Sequence, residues 1–203
     1  KEIIRNYLMK QRYGVKVETK VTNQERNRVA VEMRIYEGDI ATIKEIKFVG
    51  NEAFAAKELR AQMHHKTKNW LSWFDKSDHY SKEKLAADLE NIRSFYMDRG
   101  YLNFKIDSTQ VSLSVDKKHV YLTINITEGQ QFFFKNISLS GDMVVPREQL
   151  QTIVDQKLKS GAVCSRKSIW EVKDALEERL GEDGYSKAAV RLVDEIDQEQ
   201  RLF

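Results

Sequence analysis

Cysteine occurs once in this chain, at Cys164, so no internal disulfide framework can form and no thiolate cluster can hold a metal. No apolar run reaches the length of a helical membrane span. The chain opens on Lys1-Glu2 inside what reads as a helix, with no signal-peptide pattern. Charge of one sign is not in excess: 34 basic and 31 acidic residues are mixed along the chain, where a nucleic-acid binder would concentrate them in a stripe. No Gly-rich phosphate loop occurs, no Ser or Cys sits in a nucleophile motif, and no pair of carboxylates is marked by its context as acid and base. These absences read as a non-enzymatic chain without a cofactor. Apolar residues at 41% and charged residues at 32% fit a soluble globular chain rather than a disordered one.

What the chain has is a repeat. The stretch from Arg28 to Gly50 returns 91 positions later, without a gap, from His119 to Gly141. Val29, Ile35, Glu37, Gly38, Lys44, Ile46 and Gly50 meet Val120, Ile126, Glu128, Gly129, Lys135, Ile137 and Gly141. Each copy alternates apolar and polar residues up to a Glu-Gly, then begins a second alternating run that ends at Gly-Asn or Gly-Asp. A fixed period of this length means an array of small modules.

The periodicity predicts a helix over Lys1–Tyr13, then a hairpin of Val15–Val21 and Val29–Ile35 across a polar turn at Thr22–Asn27. The next strand holds Ile46 and Phe48 on one face and Ile43 on the other, and Gly50-Asn51 ends it. Ala55–His65 reads as a short helix and Lys66–Tyr80 as a loop. Ser81 suits an N-cap, followed by a helix with the stripe Leu85, Leu89, Ile92 and Tyr96 that stops at Gly100. A second hairpin follows, Leu102–Val115 and Val120–Ile126. The third copy repeats the plan: a strand over Phe132–Leu139, Pro146 in the first turn of a helix, a second helix over Ser168–Leu180, and a strand holding Val190 and Leu192. Gly184-Tyr185 matches Gly100-Tyr101. The complete unit is β-α-α-β-β, an α+β fold with two helices on a three-stranded mixed sheet. The expected modules are 1–38, the rear of one; 39–129, a whole one; and 130–203, one lacking its last strand.

That element order, the Glu-Gly joint and the strand ending in Gly-Asn resemble polypeptide-transport-associated (POTRA) domains. The run from Tyr80 to Gln130, YSKEKLAADLENIRSFYMDRGYLNFKIDSTQVSLSVDKKHVYLTINITEGQ, is similar to the third such domain of outer-membrane protein assembly factors. The resemblance implies a periplasmic region of a Gram-negative outer-membrane protein, ahead of a membrane β-barrel that is not part of this chain. It implies as partners unfolded outer-membrane protein segments and the accessory lipoproteins of the assembly machine, and no nucleic acid. The rival class is a KH-like RNA-binding tandem module, which shares a β-α-α-β unit. KH domains need a Gly-x-x-Gly loop between the helices. Lys66–Tyr80 has no glycine and the third copy offers only Gly161.

Within such a module a terminal hairpin places its first strand at the sheet edge. The expected peptide-binding edge is therefore Asn103, Phe104, Lys105, Ile106, Asp107, Ser108, Thr109, Gln110 and Val111, offering unpaired N–H and C=O groups to an extended peptide. Phe104 and Ile106 occupy even positions, Val111 and Leu113 odd ones. One extra residue within Asp107–Gln110, a β-bulge, would bury both sets on one face. Glu37, Gly38, Glu128 and Gly129 form the short inter-domain joints. His64 and His65 are expected on a helix, where adjacent positions cannot share a metal, so with His79 they read as surface or loop histidines. Trp70, Trp73 and Phe74 offer anchors for a partner, but the favoured reading is that they fold back on the module's own helices or pack on a neighbouring module.

Overall fold

A computed structural model describes residues 1–10, 12–25, 28–67, 78–141, 143–185, 187–193, 197, 199–200 and 202–203. The described elements run α1 (Glu2–Met9), β1 (Lys16–Gln24), β2 (Arg28–Tyr36), β3 (Thr42–Val49), α2 (Ala56–Ala61), α3 (Lys82–Met97), β4 (Lys105–Leu113), β5 (His119–Thr127), α4 (Arg147–Lys157) and α5 (Arg166–Glu182). The chain divides into two compact units, 1–91 with 106–126, and 92–105 with 127–203.

The first unit holds two sheets. β1 and β2 form an antiparallel pair whose register places Val17, Val21, Val29, Val31, Met33 and Ile35 on one face. Most of that face is exposed, Val21 at 61% and Val31 at 53%. The second sheet has the order β3-β5-β4, with β3 parallel to β5. β5 is central and alternates cleanly, with Val120, Leu122, Ile124 and Ile126 buried and the residues between them facing outward.

β3 departs from the expected alternation. Ala41, Ile43, Ile46 and Phe48 are all buried. Ile43 pairs with Val120 and Glu45 with Tyr121, so Lys44 is an extra residue in the ladder. That insertion turns Ile43 onto the face of Ile46, which a strict period of two had placed opposite. The helix expected over Ala55–His65 stops at Ala61, where Lys66 Nζ donates to the carbonyls of Arg60 and Ala61 at the helix end.

In α3 the expected start is found: Ser81 Oγ accepts from the Lys84 amide at 3.4 Å. Gly100, with φ +88°, ends the turn after the helix. A Cβ there would lie 2.8 Å from Val163 Cγ1 and 2.9 Å from the Phe132 carbonyl oxygen, so only glycine fits. The second unit packs α4 and α5 around Phe132, Phe134, Val145, Leu150, Val154, Leu158, Cys164, Val172, Leu176 and Leu180, with Leu102 against the cluster. Two expected strands are not found there. Phe132–Leu139 carries only single bridges from Phe133, to Val163 and to Leu202, and 187–193 holds no strand. The backbone from Phe132 to Lys135 exchanges hydrogen bonds with 161–164 on one side and with Phe203 on the other, a pairing too short to extend into a strand, and 187–193 has no ladder among the described residues.

Candidate functional site

The two edges of the three-stranded sheet differ. Beside the start of β3, Thr42 bridges His79, and the Ile43 amide donates to the Asp78 carbonyl at 2.7 Å. That end of the β3 edge is therefore occupied. No strand among the described residues lies beyond β4.

Of the nine positions expected on this edge, seven lie in β4: Lys105, Ile106, Asp107, Ser108, Thr109, Gln110 and Val111. Asn103 and Phe104 do not. The Phe104 amide donates to the Tyr101 carbonyl at 3.1 Å, and its ring stacks on Tyr96 with centroids 4.2 Å apart. This tight turn after Gly100 draws both residues off the edge and starts the strand two positions later than the expected Asn103. β4 also stops at Leu113. A turn follows in which Lys117 takes a positive φ of 59° and the Ser114 amide donates to the His119 carbonyl at 2.8 Å.

The phase of β4 changes inside it. Ile106 and Thr109, three apart, are its half-buried positions. Ser108 Oγ accepts from Asn125 Nδ2 at 2.8 Å, and Asn125 faces outward between buried Ile124 and Ile126. Strict alternation would put Ser108 on the side of Ile106 and Thr109 on the other. Beyond the change, Val111 at 45% and Leu113 at 39% remain exposed. From Ser108 to Val115 the chain has no charge and no proline, the usual guards of an open edge. The Ser114 amide points to β5, so alternation turns the Val111 and Leu113 amides outward, toward any added strand.

The joints are built alike. Gly38 has φ +72° and Gly129 has φ +74°. Tyr7 donates its hydroxyl to Glu37 Oε1 at 3.0 Å, and Tyr96 donates to Glu128 Oε1 at 2.7 Å. At the first joint Arg12 also donates to the Gly38 carbonyl and pairs with Glu37 at 3.5 Å, and Lys118 pairs with Asp39 at 2.8 Å. The hydrogen bond from Lys118 holds the Asp39 carboxyl below its ordinary range.

The histidines fall differently from expectation. Because α2 ends at Ala61, His64 and His65 are not helical, and both turn to one carboxylate, Asp88. Asp88 is fully buried on α3 and accepts from the backbone amides of His64 and His65 and meets both Nδ1 atoms, His65 at 2.6 Å and His64 at 3.0 Å. His65 is itself fully buried, and its Nε2 accepts from the Ser81 amide at 3.1 Å. An amide can only donate, so the His65 proton sits on Nδ1, toward Asp88. Burial pushes the Asp88 carboxyl up, but the hydrogen bonds from His65 and the two amides outweigh it and leave it below the usual range. The arrangement ties the end of α2 to α3. The signal missed in the sequence was Asp88, a carboxylate on the inward side of a helix. Among the described residues no group of three His, Cys, Asp or Glu could hold a metal ion. Trp70, Trp73 and Phe74 lie outside the described residues.

Comparison with known proteins completes the picture. The POTRA family model, described as surface antigen variable number repeat, matches residues 41–129 and 132–202. The outer membrane protein assembly factor BamA of Neisseria meningitidis is 29% identical over 185 residues, which are 91% of this chain and 23% of that protein. BamA of Buchnera aphidicola is 25% identical over 179 residues, 87% of this chain and 28% of that protein. The chain thus spans about a quarter of the length of these relatives. Among solved structures, BamA POTRA3-5 of Haemophilus influenzae superposes with a TM-score of 0.65 at 26% identity, covering 80% of this chain and 63% of that one. With two matched segments that together take in most of its length, this chain belongs to the POTRA family and is similar to the POTRA region of BamA.

Proposed function

We propose that this chain is the periplasmic POTRA region of an outer-membrane protein assembly (insertase) factor, a non-catalytic scaffold that takes unfolded outer-membrane protein segments as added strands on β4. The observation that carries this reading is the β4 edge itself, uncharged from Ser108 to Val115, with no strand beyond it among the described residues and the central strand β5 on its other side. Recognition through backbone groups is tolerant of sequence, which suits a machine whose many substrates share strand-forming segments. The scaffold would also dock the accessory lipoproteins of the machine and sit ahead of a membrane β-barrel. No described helix is long and apolar enough to cross a membrane. In this reading the modules are 1–38, 39–129 and 130–203, and matched segments of the family model at 41–129 and 132–202 support the last two. Glu37-Gly38 and Glu128-Gly129 are then the short joints between modules.

One variant tests the edge. Val111→Pro removes an outward amide while its inward bonding partners stay, so the fold should persist. Titration with a strand peptide from an outer-membrane protein should give weak, saturable shifts along β4 that the proline variant reduces at least several-fold. Unchanged shifts in a folded proline variant would move the site elsewhere.

A further inference from the structure

The three-stranded sheet has a second edge, along β3, and side chains from elsewhere in the first unit close part of it. His119 turns its carbonyl to Ser114, so its alternate neighbours Val120, Leu122 and Ile124 turn their amides and carbonyls to β3. In a parallel pair the residue opposite such a residue points away. Ile43, Ile46 and Phe48, which stand opposite these three, therefore direct their backbone groups off the sheet. Ile43 shows the pattern, since its amide goes to the Asp78 carbonyl rather than to β5. An extended chain pairing with β3 would need these outward groups.

Two features occupy Ile43 and Ile46. Over Ile43 lies the limb from Asp78 to Ser81, held from behind by His65. The Ser81 amide donates to His65 Nε2 at 3.1 Å, the Tyr80 ring stacks on the imidazole with centroids 6.0 Å apart, and His65 Nδ1 meets buried Asp88 at 2.6 Å. Further along, Arg60 Nη1 donates to the Ile46 carbonyl at 3.2 Å. Leu59, its neighbour on α2, is fully buried, so the helix holds Arg60 in place. The guanidinium nitrogen stands where the amide nitrogen of an added strand would stand, about 2.9 Å from the same oxygen. Arginine keeps its charge, so an incoming apolar strand meets a cation as well as an occupied acceptor. From Ser108 to Val115 the opposite edge carries no such charge.

We propose that Arg60 is the residue that decides which edge of this sheet takes a strand: with the limb at Asp78–Ser81 it bars β3 and leaves β4 as the accepting edge. That role rests on the strand-addition reading of β4, whereas the barring of β3 does not. Removing the guanidinium should open the stretch from Ile46 to Phe48 while Asp78 still covers Ile43.

The test is Arg60→Met in the full chain, 15N-labelled and titrated with the same strand peptide from an outer-membrane protein. Arg60 is half-buried and methionine keeps an apolar stem of similar length, so the fold should persist. Arg60→Ala, which favours the helix, decides if the first variant does not fold. In the parent the Ile46 and Phe48 amides should not shift. In the variant they should shift saturably, with affinity at β3 raised at least roughly tenfold, as expected for an edge freed of a hydrogen bond from a charged group. A parent that already shifts at Ile46 and Phe48 overturns the proposal, and so do folded variants whose β3 amides stay silent. The β4 amides are read in the same spectra. Their silence in the parent would sink strand addition on β4, while new β3 shifts in the variant would still support Arg60 as the bar on β3.

Discussion

Replacing Asp88 by Asn keeps the shape of the side chain and removes its charge. The carboxylate, itself without solvent, accepts from two backbone amides and meets two imidazole nitrogens, that of buried His65 and that of exposed His64. An Asn has one acceptor oxygen, and its NH2 group must face donors on the other side. His65 cannot relieve the clash by moving its proton to Nε2, because the Ser81 amide donates there. At least one buried donor is left unsatisfied and the remaining bonds lose their charge assistance. The expected loss is about 3 kcal/mol, from roughly 1–3 kcal/mol for each buried donor left without an acceptor. Urea unfolding followed by far-UV circular dichroism reads the loss as a lower midpoint, and exchange of the His64 and His65 amides reads it locally. The same residue sets an acid limit. Its folded-state pKa lies below the unfolded value, so its stabilising contribution is fully present above the unfolded pKa of about 4 and is lost as pH falls through the folded one. Asp88→Asn should therefore flatten the acid side of the stability profile. A loss below about 0.5 kcal/mol, the range of ordinary surface changes, would refute this account of the buried carboxylate.

Two further perturbations probe the second unit. Gly100→Ala should destabilise by about 3 kcal/mol, combining the left-handed backbone cost with contacts to Val163 and the Phe132 carbonyl, and a variant as stable as the parent would contradict the close approach at this turn. Cys164 is fully buried with its thiol pushed up to about 12, so a disulfide reagent at pH 8 should label the folded chain at least roughly a hundredfold more slowly than the unfolded chain, and fast labelling without denaturant would show that the core around α4 and α5 is open.

The sequence reveals the elements best where local chemistry decides them. Ser81, Gly100 and the alternation of β5 read directly, because caps, positive φ and a half-buried period act within a few residues. The edge position of β4 was legible from hairpin order. Lys44 was not, since an inserted residue is visible only against the partner strand. The shared anchor of His64 and His65 was hidden for the same reason: Asp88 lies 23 residues from His65, and no periodicity links them. The stretches near Phe133 and Val190 carry strand-like side chains, but the pairing of the first ends after a few residues and the second has no ladder among the described residues. The proposed edge is legible as a place, but the groups it would use are backbone amides, which every residue except proline has.

The central claim is that β4 receives an extended peptide as a new strand. Isotope-filtered NOE spectroscopy between the labelled chain and an unlabelled strand peptide from an outer-membrane barrel tests it most directly. Strand addition predicts a ladder of intermolecular contacts to Val111, Leu113 and the residues before them, with the Val111 and Leu113 amides gaining protection. Contacts confined to β3 or to the β1–β2 face, or a bound peptide without any ladder on β4, would contradict it.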